Sequence, residues 1–202
     1  MVRTGLFFGA VLAVALGPVA VQAGQPLGGV ISEVKGGVYA HDVARDNSGK
    51  AKESNTVDLN GEVLFVPLPL TDSENSWVRT ALNPRVHLGF AANTEGYTNH
   101  VYAGLTWDHR FTSGIFVEGE FGIAGNDGEL KNKRGANGAI VVTGRPKLGS
   151  AVTFREGVDL GYRFSGGHSL AGHISHISHA GWFASANDGM TFAGVRYGYR
   201  FD

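Results

Sequence analysis

Of the 202 residues none is cysteine, which removes disulfides, thiolate catalysis and thiolate metal centres together. Export is still open to such a chain, because membrane barrels do not depend on disulfide staples. Proline is scarce, at 6, while glycine reaches 31. Without a collagen-like period, those glycines read as relief for crowded strands and turns. Neither sign of charge is in excess: 17 Lys and Arg against 18 Asp and Glu leave a formal net charge of −1. Nothing in that balance points to nucleic acid. Past the N-terminus, no apolar run is long enough for a transmembrane helix.

The N-terminus carries the clearest local signal. Arg3 is a short basic region, Leu6 to Leu16 is apolar and broken only by Gly9, and Val21-Gln22-Ala23 places small residues at cleavage-site positions. This pattern predicts a secretory signal peptide over 1–23, cleaved after Ala23. Residues 24–202 then form one domain, a size that suits a single core.

The remainder of the chain alternates with the period of a strand. Eight segments do so: Ser32–Asp42, Thr56–Val66, Pro84–Asn93, Asn99–Phe111, Ile115–Gly125, Gly149–Phe164, His168–Ala180 and Thr191–Phe201. At roughly 10–15 residues they exceed the usual soluble strand of ~5–6 and meet the ~9–11 that a tilted membrane-crossing strand needs. Their polar faces carry Lys35, Arg85, Arg110, Arg155, Arg163, Arg196 and Arg200 against Glu33, Asp58, Glu62, Asp108, Glu118, Glu120 and Asp159. Buried charges need partners, so the balance predicts a closed, charge-paired interior. The expected fold is all-β: an eight-stranded antiparallel transmembrane β-barrel, closed because hydrocarbon tolerates no unpaired edge. Loops at 43–55, 94–98, 126–148 and 181–190 then lie at one end, and tight turns at 112–114 and 165–167 at the other. The connection 67–83 is too long for a periplasmic turn and suggests one helical turn. A lipocalin-like soluble barrel, with its apolar faces turned inward, is the rival architecture.

The chemistry concentrates in Gly172–Gly181, which holds two overlapping His-x-Ser pairs. Ser169, His173 and Ser175 share one strand face, and Leu170, Ile174, His176 and Ser178 the other. The first set reads as interior hydrogen bonding. The second places an imidazole and a hydroxyl among lipid-facing side chains, where polar groups are costly and tend to be functional. A hydroxyl beside an imidazole is the start of a nucleophile–base pair. Pairing Phe164 with His168 across the 165–167 turn sets Glu156 opposite His176, and the same logic puts Thr191 on the far side of Ser178. No metal or other cofactor is expected: His173, His176 and His179 do not share a face, and no carboxylate cluster completes a site.

His176-Ile177-Ser178-His179-Ala180-Gly181, Asn187-Asp188-Gly189 and Val195-Arg196-Tyr197-Gly198-Tyr199-Arg200-Phe201 resemble the lipid A 3-O-deacylase (PagL-like) family of outer-membrane barrels. Ser32-Glu33-Val34-Lys35-Gly36-Gly37-Val38 and Phe154-Arg155-Glu156 also look like its pattern. The resemblance implies an outer-membrane location, lipid A of lipopolysaccharide as substrate, and hydrolysis of the ester-linked acyl chain at its position 3. It also implies a Ser–His–acid triad with Ser178 as nucleophile and His176 as general base. Two positions depart from the family. Its acid position on the last strand, after Gly189-Met190, is Thr191, leaving Glu156 and Asp188 as candidate acids. Its usual Asn after the nucleophile is His179, whose N–H can serve a developing oxyanion; Gly181 is the other candidate donor. Loss of the orienting acid keeps a second reading open, a catalytically impaired or non-enzymatic small barrel with a structural or adhesive role.

Overall fold

A computed structural model describes residues 29–43, 52–131, 133–141, 143 and 145–201. The expected signal peptide lies outside the described residues. In chain order the elements are β1 (Ile31–Ala40), β2 (Val57–Pro67), α1 (Ser76–Leu82), β3 (Arg85–Asn93), β4 (His100–Arg110), β5 (Ile115–Asn126), β6 (Lys133–Arg134), β7 (Ile140–Val141), β8 (Val152–Arg163), β9 (His168–Ser178) and β10 (Met190–Arg200). Eight of these strands close into an antiparallel barrel in the order β1-β10-β9-β8-β5-β4-β3-β2. The pairing of β1 with both β10 and β2 seals the sheet. Each barrel strand lies within a few residues of its expected segment, because apolar–polar alternation and glycine-marked turns both survive into the structure.

The barrel is inverted relative to a soluble protein. Leu59, Val101, Phe121, Leu160, Leu170, Ile174 and Val195 are each more than half exposed, while Arg85, Arg155, Arg196, Glu33 and Glu118 are fully buried. That arrangement is stable only if the outer wall meets hydrocarbon and every inner charge meets its opposite. The second condition is visible. Arg85 spans Glu33 at 2.6 Å and Glu118 at 2.9 Å. Arg196 reaches Glu62 at 2.9 Å, Asp159 at 3.3 Å and also Glu120, which Arg155 holds at 2.5 Å. Lys35 joins Glu118 and lies 3.3 Å from Asp159. Arg155 also stacks over the Tyr102 ring at 3.9 Å. Side chains fill the lumen, as eight strands require.

Three expectations need correction. Arg110 is not part of the interior lattice; it is exposed at the last position of β4. The loop after β5 is partly ordered, with β6 and β7 pairing around a turn at Gly138, whose φ is +76°. The 68–84 connection holds two turns of helix rather than one. Asn75 caps it, its side chain accepting hydrogen bonds from the N–H groups of Trp77 and Val78 at 3.0 and 3.2 Å. The helix docks on the outside of the wall. Trp77 stacks on His109 with ring centroids 3.7 Å apart, and Trp107 Nε1 donates to the Ala81 carbonyl at 3.1 Å.

Candidate active site

The geometry of the site follows from two adjacent hairpins. The turn at Ser165–Gly167 pairs β8 with β9 so that Glu156 faces His176 and Phe154 faces Ser178. Side chains in directly opposed positions sit about 4.5–5.5 Å apart at Cβ. On the other flank, β10 sets Thr191 opposite His176 and Met190 opposite Ile177. Thr191 therefore neighbours the imidazole and not Ser178, a correction to the expected register. The longer 179–189 loop shifts the frame, and its length hides that shift from a sequence-only count.

The contact that organises the cluster is between His176 Nδ1 and Thr191 Oγ1, at 2.8 Å. A hydroxyl oxygen accepts from an Nδ1–H or donates to a bare Nδ1. In the first case Nε2 is left with its lone pair. Ser178 lies two residues along the same outer face, roughly 7 Å up the strand at Cα, and is half-buried like His176. The imidazole also lies over Gly189, where a Cβ would come 2.8 Å from both Cε1 and Nε2. Gly189 has φ of +64°, so the backbone turn and the ring's seat both call for glycine.

The remaining candidates fall in different places. Glu156 is exposed on the outer wall beside His176, with no hydrogen bond joining the two among the described residues. Asp188 turns away toward the long loop, where its carboxylate accepts the Lys147 N–H at 2.6 Å and its own N–H donates to the Lys147 carbonyl at 3.0 Å. His179 is fully buried, with Nε2 on the Ala186 carbonyl at 2.7 Å and its backbone N–H donating to Asn187 Oδ1 at 3.2 Å. Gly181 is exposed in the turn after β9, with φ of +78°.

The look-alike pair separates as its face predicts. His173 is buried, with Nδ1 2.5 Å from Asp159 Oδ1 and 2.7 Å from an Arg196 nitrogen. Ser175 is buried beside it, but contrary to the expected interior hydrogen bonding its hydroxyl has no partner among the described residues. Here the expectation of no carboxylate cluster is overturned. The lumen brings together Glu120, Asp159 and His173, and also Glu62, Glu118 and Glu120, each group with ligand atoms within 4.8 Å of one another. Spacing along one strand cannot reveal such clusters, because their members come from several strands brought together in the lumen. Lys35, Arg155 and Arg196 stand among them and supply the positive charge.

A family model described as lipid A 3-O-deacylase (PagL) matches residues 71–200, which contain the whole His176–Ser178–Thr191 cluster. The chain belongs to that family. Among solved structures, the crystal structure of the outer membrane enzyme PagL is similar at 19% identity, covering 84% of this chain and 100% of that one, with a TM-score of 0.59. The N-terminal β-barrel domain of Pseudomonas aeruginosa OprF is similar at 11% identity, covering 85% of this chain and 99% of that one, with a TM-score of 0.47. Neisserial surface protein A is similar at 10% identity, covering 86% of this chain and 97% of that one, with a TM-score of 0.46. No curated protein matches the sequence. With family and fold both in hand, the chain is a closed barrel of the outer-membrane lipid A deacylase family. Against the pattern that the resemblance implied, the PagL-family acid position is Thr191, the residue that bonds the imidazole here.

Proposed function

We propose that the protein hydrolyses the ester-linked acyl chain at position 3 of lipid A, with Ser178 as nucleophile and His176 as general base. The observation that carries this reading is the bond from Thr191 to His176 Nδ1. It fixes one edge of the imidazole and leaves Nε2 on the face that also carries Ser178. The His–Ser separation of an unoccupied strand closes by side-chain rotation, and catalytic hydrogen bonds commonly tighten only with substrate bound.

His176 Nε2 takes the Ser178 proton as Oγ attacks the ester carbonyl. The tetrahedral intermediate collapses to an acyl-enzyme and returns the proton to the departing sugar oxygen. Water, deprotonated by the same nitrogen, then releases the fatty acid. Thr191 holds the ring and its tautomer but brings no charge to the imidazolium. Glu156, directly across on β8, supplies that charge from the other flank. The ring of His179 is occupied by the Ala186 carbonyl and its backbone N–H by Asn187, so the backbone N–H groups of Ala180 and Gly181 are the donors assigned to the oxyanion.

A triad on the outer wall works on a substrate that lies in the membrane, and lipid A occupies the outer leaflet. The long loops then face outward and α1 lies at the periplasmic interface, with the N-terminal segment directing export. The test is mass spectrometry of lipid A from cells expressing wild type or Ser178→Ala. Wild type is expected to remove the 3-linked acyl group and the variant to leave it. An unchanged lipid A with folded wild-type barrel in the membrane refutes the reading in favour of a non-enzymatic barrel.

A further inference from the structure

The turn that follows Ser178 carries the large apolar side chain most open to its surroundings. Trp182 is 76% exposed, more than any other such residue among those described. It stands there for a backbone reason. Ala180 and Gly181 have φ of +51° and +78°, and the Trp182 N–H donates to the His179 carbonyl at 2.9 Å, the geometry of a tight turn with two left-handed central residues. Alanine adopts that conformation only at a cost, so its surroundings must hold it. Buried His179 does so: Nε2 donates to the Ala186 carbonyl at 2.7 Å, and Nδ1 accepts the Phe183 N–H at 3.5 Å. Phe154 supports both exposed rings, the Trp182 centroid lying 5.5 Å away at 89° and the Phe183 centroid 5.7 Å away. Phe154 is also the residue that faces Ser178 across the ladder. We propose that Trp182 is the platform on which the sugar ring of the substrate stacks while its ester lies at Ser178.

The proposal rests on the deacylase reading and adds recognition of the sugar to it. Three arguments make a sugar the occupant. The first is orientation. An acylated sugar keeps its chains in hydrocarbon and its ring at the water boundary. β9 runs toward the long loops and ends at Ser178, so the sugar side of an ester held there lies beyond the strand, level with the 179–182 turn. The second is chemistry. The indole face carries the negative part of the ring quadrupole, and a pyranose face presents axial C–H bonds to it, a set of weak contacts that add up. The polar groups of the sugar stay at its rim, in water. The third is shared support. The N–H groups of Ala180 and Gly181, assigned to the oxyanion, belong to the turn that ends at Trp182, so one backbone unit sets both the ring and the carbonyl.

A tryptophan that merely anchors a barrel at the interface makes different demands. Leucine can replace its apolar contact, and any lipid satisfies it. A platform needs the aromatic face and the sugar. Because the ring is not the reacting centre, it meets the platform alike in the ground and transition states, so loss of the platform appears in KM rather than in kcat.

The experiment uses the full barrel in mixed micelles with lipid A. Trp182→Leu is expected to raise KM by about tenfold, and Trp182→Phe, which keeps a ring face, to recover most of that loss. Binding is read separately in Ser178→Ala, where the substrate stays intact. The emission of Trp182, isolated by subtracting a Ser178→Ala, Trp182→Phe double variant, is expected to shift on titration with lipid A and not with phosphatidylglycerol. An unchanged KM in Trp182→Leu overturns the inference. So does the absence of an emission shift, or an equal shift with both lipids, which makes Trp182 an interfacial anchor. Wild type that releases no acyl chain refutes the deacylase reading instead, and the emission shift then decides the platform alone.

Discussion

Replacing Thr191 tests how the imidazole is oriented without a carboxylate at the PagL-family acid position. Valine has nearly the shape of threonine, so Thr191→Val removes the 2.8 Å bond to His176 Nδ1 and little else. In the ground state that bond joins two neutral groups and is worth about 1 kcal/mol; in the transition state it meets an imidazolium, where such bonds are worth about 1.5–3 kcal/mol. The difference, on the order of 1–1.5 kcal/mol, corresponds to roughly a tenfold fall in kcat. Freeing the ring to adopt the other tautomer adds to this, up to the ~10⁴ that a wrong-tautomer base costs at the extreme. Thr191→Glu works in the opposite direction. A charge-assisted bond is roughly twice as strong as a neutral one, so a carboxylate there should raise kcat above wild type by about tenfold. Initial rates of acyl release in mixed micelles, normalised to heat-modifiable barrel, give the ranking. The expected order is Thr191→Glu, wild type, Thr191→Val. Wild-type kcat in Thr191→Val would refute the orienting role of the hydroxyl.

Gly189→Ala should reduce acyl release by about a hundredfold or more with the barrel still folded, because its Cβ meets the His176 ring at 2.8 Å and a near-attack geometry misplaced by about 1 Å loses that much. Glu156→Gln should cost a smaller factor, about threefold to tenfold, since it removes charge beside the imidazolium but not the Nδ1 bond; a loss near 10⁴ in steady-state kinetics would instead make Glu156 the orienting acid. At the upper rim, Glu53 joins three loops to the wall: it accepts the Thr98 N–H at 2.8 Å, pairs with Arg145, and lies 3.2 Å from His41, whose other nitrogen is 2.8 Å from Asp58. Burial alone would lower the His41 pKa, but the bonds to Asp58 and Glu53 outweigh it and push the group up to about 9. Burial would likewise raise Glu53, and His41, Arg145 and Thr98 instead hold it down to about 2. His41 stabilises the rim fully below its ordinary 6.5 and loses that as pH rises through about 9; Glu53 does so above its ordinary 4.5 and loses it as pH falls through about 2. Amide hydrogen exchange in residues 53–56, 97–98 and 145–148 should be slowest between about pH 4.5 and 6.5, after correction for intrinsic rates, and Glu53→Gln should remove that protection.

The barrel is legible in the sequence because each strand carries its own evidence: an outer face of Leu, Val, Ile and Phe against an inner face of charge, repeated at period two. The Glu156–His176 pairing is legible for the same reason, since the Ser165–Gly167 turn is short enough to transmit register without ambiguity. Thr191 escapes this logic because the 179–189 connection is an irregular loop, and a loop of that length sets no parity. The interior clusters cannot be read at all from spacing. Glu62, Glu118 and Glu120 come from β2 and β5, which are not neighbours in the sheet, and only closure of the barrel brings them together. Of helix α1 only a single turn within 67–83 is anticipated, because prolines and polar residues dominate that stretch; the Asn75 cap that starts it is found in the structure.

The two overlapping His-x-Ser pairs divide the work between the two faces of one strand. Behind His176 and Ser178, on the inner face, Asp159 of β8 binds His173 of β9, and Arg196 of β10 binds Asp159 and Glu120 of β5. These bonds tie together the very strands that carry Glu156, His176, Ser178 and Thr191. Outer-wall side chains surrounded by fluid lipid have no packed neighbours to hold them, so their geometry must come from the backbone beneath. A lattice of buried ion pairs is costly to assemble, but a polar network of this kind rigidifies the strands that carry it. His173, an interior residue with no part in the proposed chemistry, is therefore part of the reason that the proposed catalytic geometry can persist on a surface exposed to hydrocarbon.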